Sequence, residues 1–225
     1  MLTLSQVSKN QQVLAFLTLS EENLKTSGYT KHDIFHVQLV ADRARSISRA
    51  IGLSPEEQEM AAISGFCHDM ANCLSRRYHH LLGALLFHQI FQSEISSGRV
   101  SPYEIGIISQ AIAVHDRAEL ELSHPVSAVL IIADKSDVRR ERVYPKDLDL
   151  IKRDIHDRVN YATRSSRLRI DTKKKKITLI LKIDINFVPI MEYFEIFTER
   201  MIYCRKAADF LGYKFGIVIN NFKLL

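Results

Sequence analysis

Gly65-Phe66-Cys67-His68-Asp69-Met70 sets an imidazole beside a carboxylate at the end of a run that reads as a buried helix. An ionised carboxylate is costly to bury unless something positive neutralises it, and a divalent cation does that well. Neutral imidazole nitrogen and carboxylate oxygen are both suitable ligands for such an ion. A single His-Asp dipeptide is often an ordinary helix end, so its meaning rests on what stands before and after it.

Upstream, Ser54-Pro55-Glu56-Glu57 is a capping box with Pro at the first helical position. It opens a helix over about 55–70 that ends on His68-Asp69. Ser64 and Gly65, about one turn before the pair, are small enough to let another helix come close. An earlier helix is expected over Asp33–Ile51, where His36, Val40, Ala44, Ile47 and Ile51 share one face and Gly52 supplies the stop. His36 thus stands on the core face, where a His is more often a hydrogen-bonded core residue than a ligand. Residues 3 to about 25 read as one amphipathic lead-in helix.

Downstream, Arg76-Arg77-Tyr78-His79-His80 opens an apolar helix, Leu81–Phe91, in which Gly83 follows His79 by one turn and Ala84 follows His80. Ser101-Pro102-Tyr103-Glu104 is a second capping box. Ile105, Ile108, Ile112 and His115 then share an apolar face, again a place where a core histidine is common. His124-Pro125 precedes Val126–Ala133, a helix apolar on nearly every side, which delivers Asp134 into its surroundings. His36, His68-Asp69, His79, His115 and Asp134 therefore come from five expected helices. A helical metal cage is the economical explanation, and a His/Asp set suits an open site for a first-row ion better than closed structural zinc.

The ordered set resembles the HD superfamily of metal-dependent phosphohydrolases, whose pattern is H…HD…D. His36 to Val40 is similar to the first motif, Phe66-Cys67-His68-Asp69 to the namesake, and Ile132-Ala133-Asp134-Lys135 to the last. His79 with Gly83, and His115 at a helix end, resemble the extra histidines of two-metal subfamilies. The resemblance covers about 30–140. It implies a mainly α HD-type bundle holding His36, His68, Asp69, His79, His115 and Asp134 around metal. Two divalent ions are expected, iron or manganese first, with zinc, nickel, cobalt or magnesium as alternatives. Asp69 is the expected bridging and catalytic group. The implied activity is hydrolysis of a nucleotide or other small phosphate ester through a metal-bridged hydroxide. A non-catalytic nucleotide-binding regulator and a di-iron HD-type oxygenase are the alternatives.

The chain departs from the pattern at Asn72, where many relatives carry Lys four residues after the HD histidine. The Gly-Tyr-Pro loop of cyclic-dinucleotide phosphodiesterases and the Glu-Asp pair of guanosine tetraphosphate hydrolases are both absent. On the substrate side the candidates are His80, Lys135, Arg139 and Arg140. For the arginines, a solvated basic helix end is the plainer reading.

Beyond Val143 the pattern changes. Tyr144-Pro145 breaks the chain, and a charged helix is expected from Lys146 to about Tyr161. Leu168 and Ile170 alternate with Arg167 and Arg169. Ile177, Leu179, Leu181, Ile183 and Ile185 also mark a strand, with Lys173–Lys176 as the turn between the two. Pro189 starts a long helix with the stripe Ile190, Phe194, Phe197, Met201, Cys204, Ala208 and Leu211, and Phe215, Ile217 and Ile219 form a last strand. The expected organisation is an HD-type helical domain over 1–143, a connecting helix over 144–164 and a small α+β (ββαβ) appendage over 165–225. That appendage is small enough to need packing on the helical domain or on a second copy, as a homodimer.

Composition adds bounds. The 225 residues are 46% hydrophobic and 25% charged, ordinary for a globular chain. The net charge of +5 suits anionic substrates but is too small to imply nucleic-acid binding by itself. A small phosphorylated substrate is the expected partner, with neither nucleic acid nor a membrane anticipated. Three cysteines without a CxxC pair point to a reducing, cytoplasmic setting, and no signal peptide is visible.

Overall fold

The computed structural model describes residues 1–116 and 121–224. Several of its helices begin where short polar residues take up free amides. Thr3 and Gln6 form a capping box for a single turn, α1 (Leu4–Val7). The lead-in is not one helix. The Asn10 side chain accepts from the amides of Gln12 and Val13, a fresh N-cap, and α2 (Gln11–Thr26) starts there. Asp33 likewise caps α3 (Ile34–Ile51), which ends at Gly52 with φ of 84°. Ser54 and Glu57 close their capping box at the head of α4 (Pro55–Cys67). Next come α5 (His79–Ile90), the short α6 (Gln92–Ser96), α7 (Pro102–Val114) and α8 (Pro125–Lys135).

The second capping box is not formed. Ser101 accepts from the Tyr103 amide, but Glu104 does not turn back to it. Glu104 is buried and its Oε1 accepts from the Leu2 amide at 2.7 Å. A distant unpaired amide has outcompeted the local one, a choice invisible to a four-residue motif.

The chain divides into two compact units, Met1–Asp134 and the residues from Lys135 onward. In the first, α3 lies along α4, α4 packs on α7, and α7 on α5. Phe66, Phe87, Ile63, Met70, Ile108 and Ile112 are fully buried there. Each such side chain contributes roughly 1.5–3 kcal/mol by leaving water. Two glycines set the closest approaches. A Cβ on Gly65 would stand 2.9 Å from both the Cα and the amide nitrogen of Ala41, so α3 and α4 touch backbone to backbone. A Cβ on Gly83 would come tight only against the side-chain Ile112 Cγ2 at 3.2 Å, with Ala71 Cβ and His68 O at an ordinary 3.7 Å.

In the second unit the expected connecting helix is two helices, α9 (Leu148–Arg153) and α10 (Ile155–Ala162). Asp154 adopts an extended conformation between them and caps the Asp157 amide. Strands β1 (Thr163–Asp171) and β2 (Lys176–Ile183) form the antiparallel hairpin across the lysine turn. A parallel pair needs a long crossover, and α11 (Ile190–Phe210) provides it between β2 and β3 (Lys214–Ile219). A strand not foreseen from the sequence, β4 (Phe222–Lys223), pairs with β3. Asn220 and Asn221 both have positive φ in the two-residue loop between them, the backbone that a tight hairpin needs. The sheet order is β1-β2-β3-β4. The chain is thus mainly α with a small α+β appendage, and α10 packs on both α11 and β1.

The α11 stripe is buried at Phe197, Met201, Cys204 and Ala208, but its N-terminal end turns onto Tyr193 in place of Phe194. Cys67, Cys73 and Cys204 are free thiols. No helix among the described residues is long and apolar enough to cross a membrane.

Candidate metal centre

Three histidines in the core of the first unit are each held by a backbone carbonyl. His68 Nδ1 donates to Gly65 O at 2.8 Å, His79 Nδ1 to Arg76 O at 2.8 Å, and His115 Nδ1 to Ile112 O at 2.7 Å. A carbonyl only accepts, so these rings carry a proton on Nδ1. Their Nε2 atoms point the other way, toward one another. This is the orientation in which an outer hydrogen bond presents a ligand nitrogen to a metal. The two elements that end on His68 and His115 do so one residue past the helix, where each ring can reach back to the carbonyl three residues earlier.

Asp69 lies between the rings. Its Oδ2 is 3.2 Å from His68 Nε2 and 3.6 Å from His36 Nε2, while its Oδ1 is 3.4 Å from His79 Nε2. Asp134 closes the far side, with Oδ1 3.5 Å from His68 Nε2 and 3.6 Å from His36 Nε2. Three overlapping triads bring one donor atom from each residue within 4.8 Å of the others: His36/His68/Asp69, His68/His115/Asp134 and Asp69/His79/His115. The buried His/Asp clusters could hold a metal ion. All six residues expected at the cage from the sequence meet here.

Two observations fit a cation and resist a purely hydrogen-bonded account. His79 Nε2 and His115 Nε2 are 3.2 Å apart. With both rings protonated on Nδ1, two lone pairs would face each other. Two nitrogens on one ion, with bonds of about 2.0–2.1 Å, stand roughly 3.0–3.4 Å apart. His68 Nε2, fully buried, lies near two carboxylates without the alignment of a hydrogen bond to any group.

The electrostatics agree with the geometry. Burial works against the His68 imidazolium, but Asp69 and Asp134 outweigh it and push the pKa up to about 10. Burial also pushes the Asp69 carboxyl up, and His68 and His32 outweigh it, holding Asp69 well below the ordinary carboxylate range. A proton on His68 and a divalent ion are therefore competing ways to neutralise the same carboxylates. His79 moves the other way. Burial lowers its pKa, Arg76 adds to that, and Asp69 and Asp116 only partly oppose it. His79 stays a neutral nitrogen donor.

Three features of the site were not foreseen. His32 is buried with its Nδ1 on Thr30 O at 2.6 Å and its ring 5.6 Å from His36, and its Nε2 is 4.0 Å from Asp69 Oδ2. Its spacing of four before His36 was the available signal. Asp116 Oδ2 is 3.8 Å from His79 Nε2, and its side chain is partly exposed. Asn72, which stands where many relatives carry Lys, donates from Nδ2 to Asp69 Oδ1 at 2.8 Å and accepts from Arg76 Nη1 at 2.9 Å. Asn72 orients the central carboxylate, and Arg76 orients Asn72.

Of the substrate-side candidates, His80 is buried with its ring 5.5 Å from His79 and 6.4 Å from His115. Lys135, Arg139 and Arg140 belong to the second unit. Lys135 is buried, and Arg139 pairs with the buried Asp137. Arg140 donates to the Tyr161 carbonyl at 2.7 Å with its guanidinium 4.2 Å above the Tyr161 ring. No protein-family model matches the chain, and no curated protein matches it.

Proposed function

We propose that the cage binds divalent transition ions and that the chain is a metal-dependent phosphohydrolase of the HD type, acting on a nucleotide or other small phosphate ester. The observation that carries this reading is the single carboxylate Asp69 facing His36 and His68 with one oxygen and His79 with the other. His36, His68 and Asp134 would hold one ion, His79 and His115 a second, with Asp69 shared. The mixed nitrogen and oxygen donors favour iron or manganese over magnesium, which prefers oxygen. Bound ions of this kind make a water nucleophilic near neutral pH and polarise phosphoryl oxygens.

The protein's own groups have the rest of the work. Asp69, kept ionised by its histidines, accepts a hydrogen bond from an attacking water and so aims it. Asn72 and Arg76 keep that carboxylate from rotating. His80, beside His79 and His115, stands where it can donate to a substrate oxygen.

The test is a phosphate-release screen over nucleotides and small phosphate esters with protein reconstituted in manganese or iron. Metal-dependent release is expected. Tight nucleotide binding without turnover would instead support a regulator. Oxygen consumption by the iron form, without phosphate release, would support an oxygenase.

A further inference from the structure

The modest overall charge hides a division. Residues 1–134 carry 10 Lys and Arg against 14 Asp and Glu, and the residues from Lys135 onward carry 21 against 12, so the units differ as −4 and +9. The register of the sheet says where much of that excess goes. Arg167 lies opposite Ile180, Arg169 opposite Thr178, Lys176 beside Lys214, and Val218 opposite Lys223. With period-two alternation these side chains share one face, joined by Lys182 from further along β2. Leu168, Leu179, Leu181, Phe215 and Ile217 occupy the other face, the one turned to α11.

Six strand cations, Arg167, Arg169, Lys176, Lys182, Lys214 and Lys223, thus stand on one side of a four-stranded sheet. Lys173, Lys174 and Lys175 extend them at the hairpin tip. Asp171 is the one strand carboxylate on this face, and it accepts from the Lys174 amide at 2.9 Å. Arg167, Arg169, Lys214 and Lys223 make no ion pair among the described residues. Between the cations runs a groove of about 210 Å³ lined by Arg169, Lys174, Lys176 and Lys223 together with Asp171, Thr178 and Val218. Like charges gathered this closely repel one another, and the pairing cost falls when a polyanion lies across them.

We infer that this sheet face is a docking surface for double-helical nucleic acid, held by its phosphates without sequence readout. Cations two residues apart on one strand are about 6.7 Å apart. That is comparable with the step between successive backbone phosphates. Single strands are gripped by aromatic rings on which bases stack. No strand residue on this face is aromatic, and Tyr213 beside it is buried with Lys175 Nζ 4.8 Å over its ring. Among the described residues no aromatic ring lines the groove, so the face offers phosphate contacts and no stacking platform to unstacked bases.

The experiment is fluorescence anisotropy of the full chain with a labelled mixed-sequence duplex of about 20 base pairs, titrated from about 50 to 200 mM salt. Binding is expected, with a log-log salt slope near −4 to −5 for roughly five phosphate contacts. The variant Arg169→Glu/Lys174→Glu/Lys223→Glu should bind at least about tenfold more weakly and lose roughly three from the slope. Lys9→Glu/Arg99→Glu/Lys206→Glu changes net charge equally off this face and should bind like the parent. Circular dichroism and metal content check that both variants are folded. Equal loss in the two variants overturns the inference in favour of bulk charge. Absence of duplex binding at low salt overturns it, as does tighter binding to oligo-dT or to phosphatidylserine vesicles than to the duplex.

Discussion

The histidine cluster of the N-terminal unit and the sheet face of the C-terminal unit handle charge in opposite ways. In the N-terminal unit, six histidines and Asp69 are buried, so each charge must find its counterpart within a few ångströms. In the C-terminal unit, cations stand on an open sheet face where water screens them and only their number makes a field. A buried set answers to single atoms, whereas an exposed set answers to sums. Removing one member should therefore be severe in the histidine cluster and slight on the sheet face.

The largest effect is expected at Asp69. Asp69→Ala removes the oxygen that faces each histidine group, and metal analysis should find affinity lowered by more than the roughly 10–100-fold typical of losing an outer-shell partner. Full occupancy in this variant would dissolve the contrast between the units, since the cage would then tolerate losing its central charge.

Gly65→Ala comes next, through packing. The added methyl would meet the Ala41 backbone at 2.9 Å, where no side chain can swing aside. A loss of about 3 kcal/mol is expected in denaturant unfolding of the N-terminal unit. Gly83→Ala is the control. Its contact is the movable Ile112 methyl at 3.2 Å, and the gain in helix propensity of about 1 kcal/mol offsets much of the strain. Equal destabilisation by the two would show that backbone contact between α3 and α4 is not what positions His36 against His68.

The neighbouring histidines divide the cage more finely. His79 Nε2 is 3.4 Å from Asp69 Oδ1, whereas His80 meets the centre only through ring contacts. His79→Ala should lose one equivalent of metal and most activity. His80→Ala should keep the metal and alter mainly substrate affinity. The reverse pattern in metal analysis would shift the ligand register by one residue.

The smallest expected signal is a proton count. The folded pKa of His68, about 10, lies above its ordinary value of 6.5, so protonated His68 stabilises the chelated protein fully below about pH 6.5. That contribution fades as pH rises through 10. A metal ion takes the place of that proton. Titration calorimetry at about pH 8, in buffers of different ionisation enthalpy, should show about one proton released from His68 per protein on loading. No release would mean that the carboxylates are neutralised some other way.

Much of the first unit could be read along the chain. Ser54 and Glu57 announced the start of α4 and Gly52 the end of α3, because capping is settled within one turn. His36 on its apolar face, and Asp134 after its apolar run, were legible because burial follows helical period. Glu104 shows the limit. Its motif pointed to Ser101, yet its carboxylate serves Leu2, more than a hundred residues away.

That His36, His68, Asp69, His79, His115 and Asp134 stand on core-facing or terminal helix positions, and the spacing of His79 before Gly83, were thus legible in the sequence alone, as was the presence of strands around the lysine run. Only the tertiary structure decided that Asp69 turns one oxygen to each histidine group, and that Asn72 and Arg76 hold it there. It alone put Lys214 beside Lys176 and Lys223 opposite Val218, since parallel β2–β3 pairing awaits the α11 crossover. Capping and periodicity act over a few residues and are written locally. Convergence of side chains from distant segments depends on how whole elements pack, and no local window contains that information.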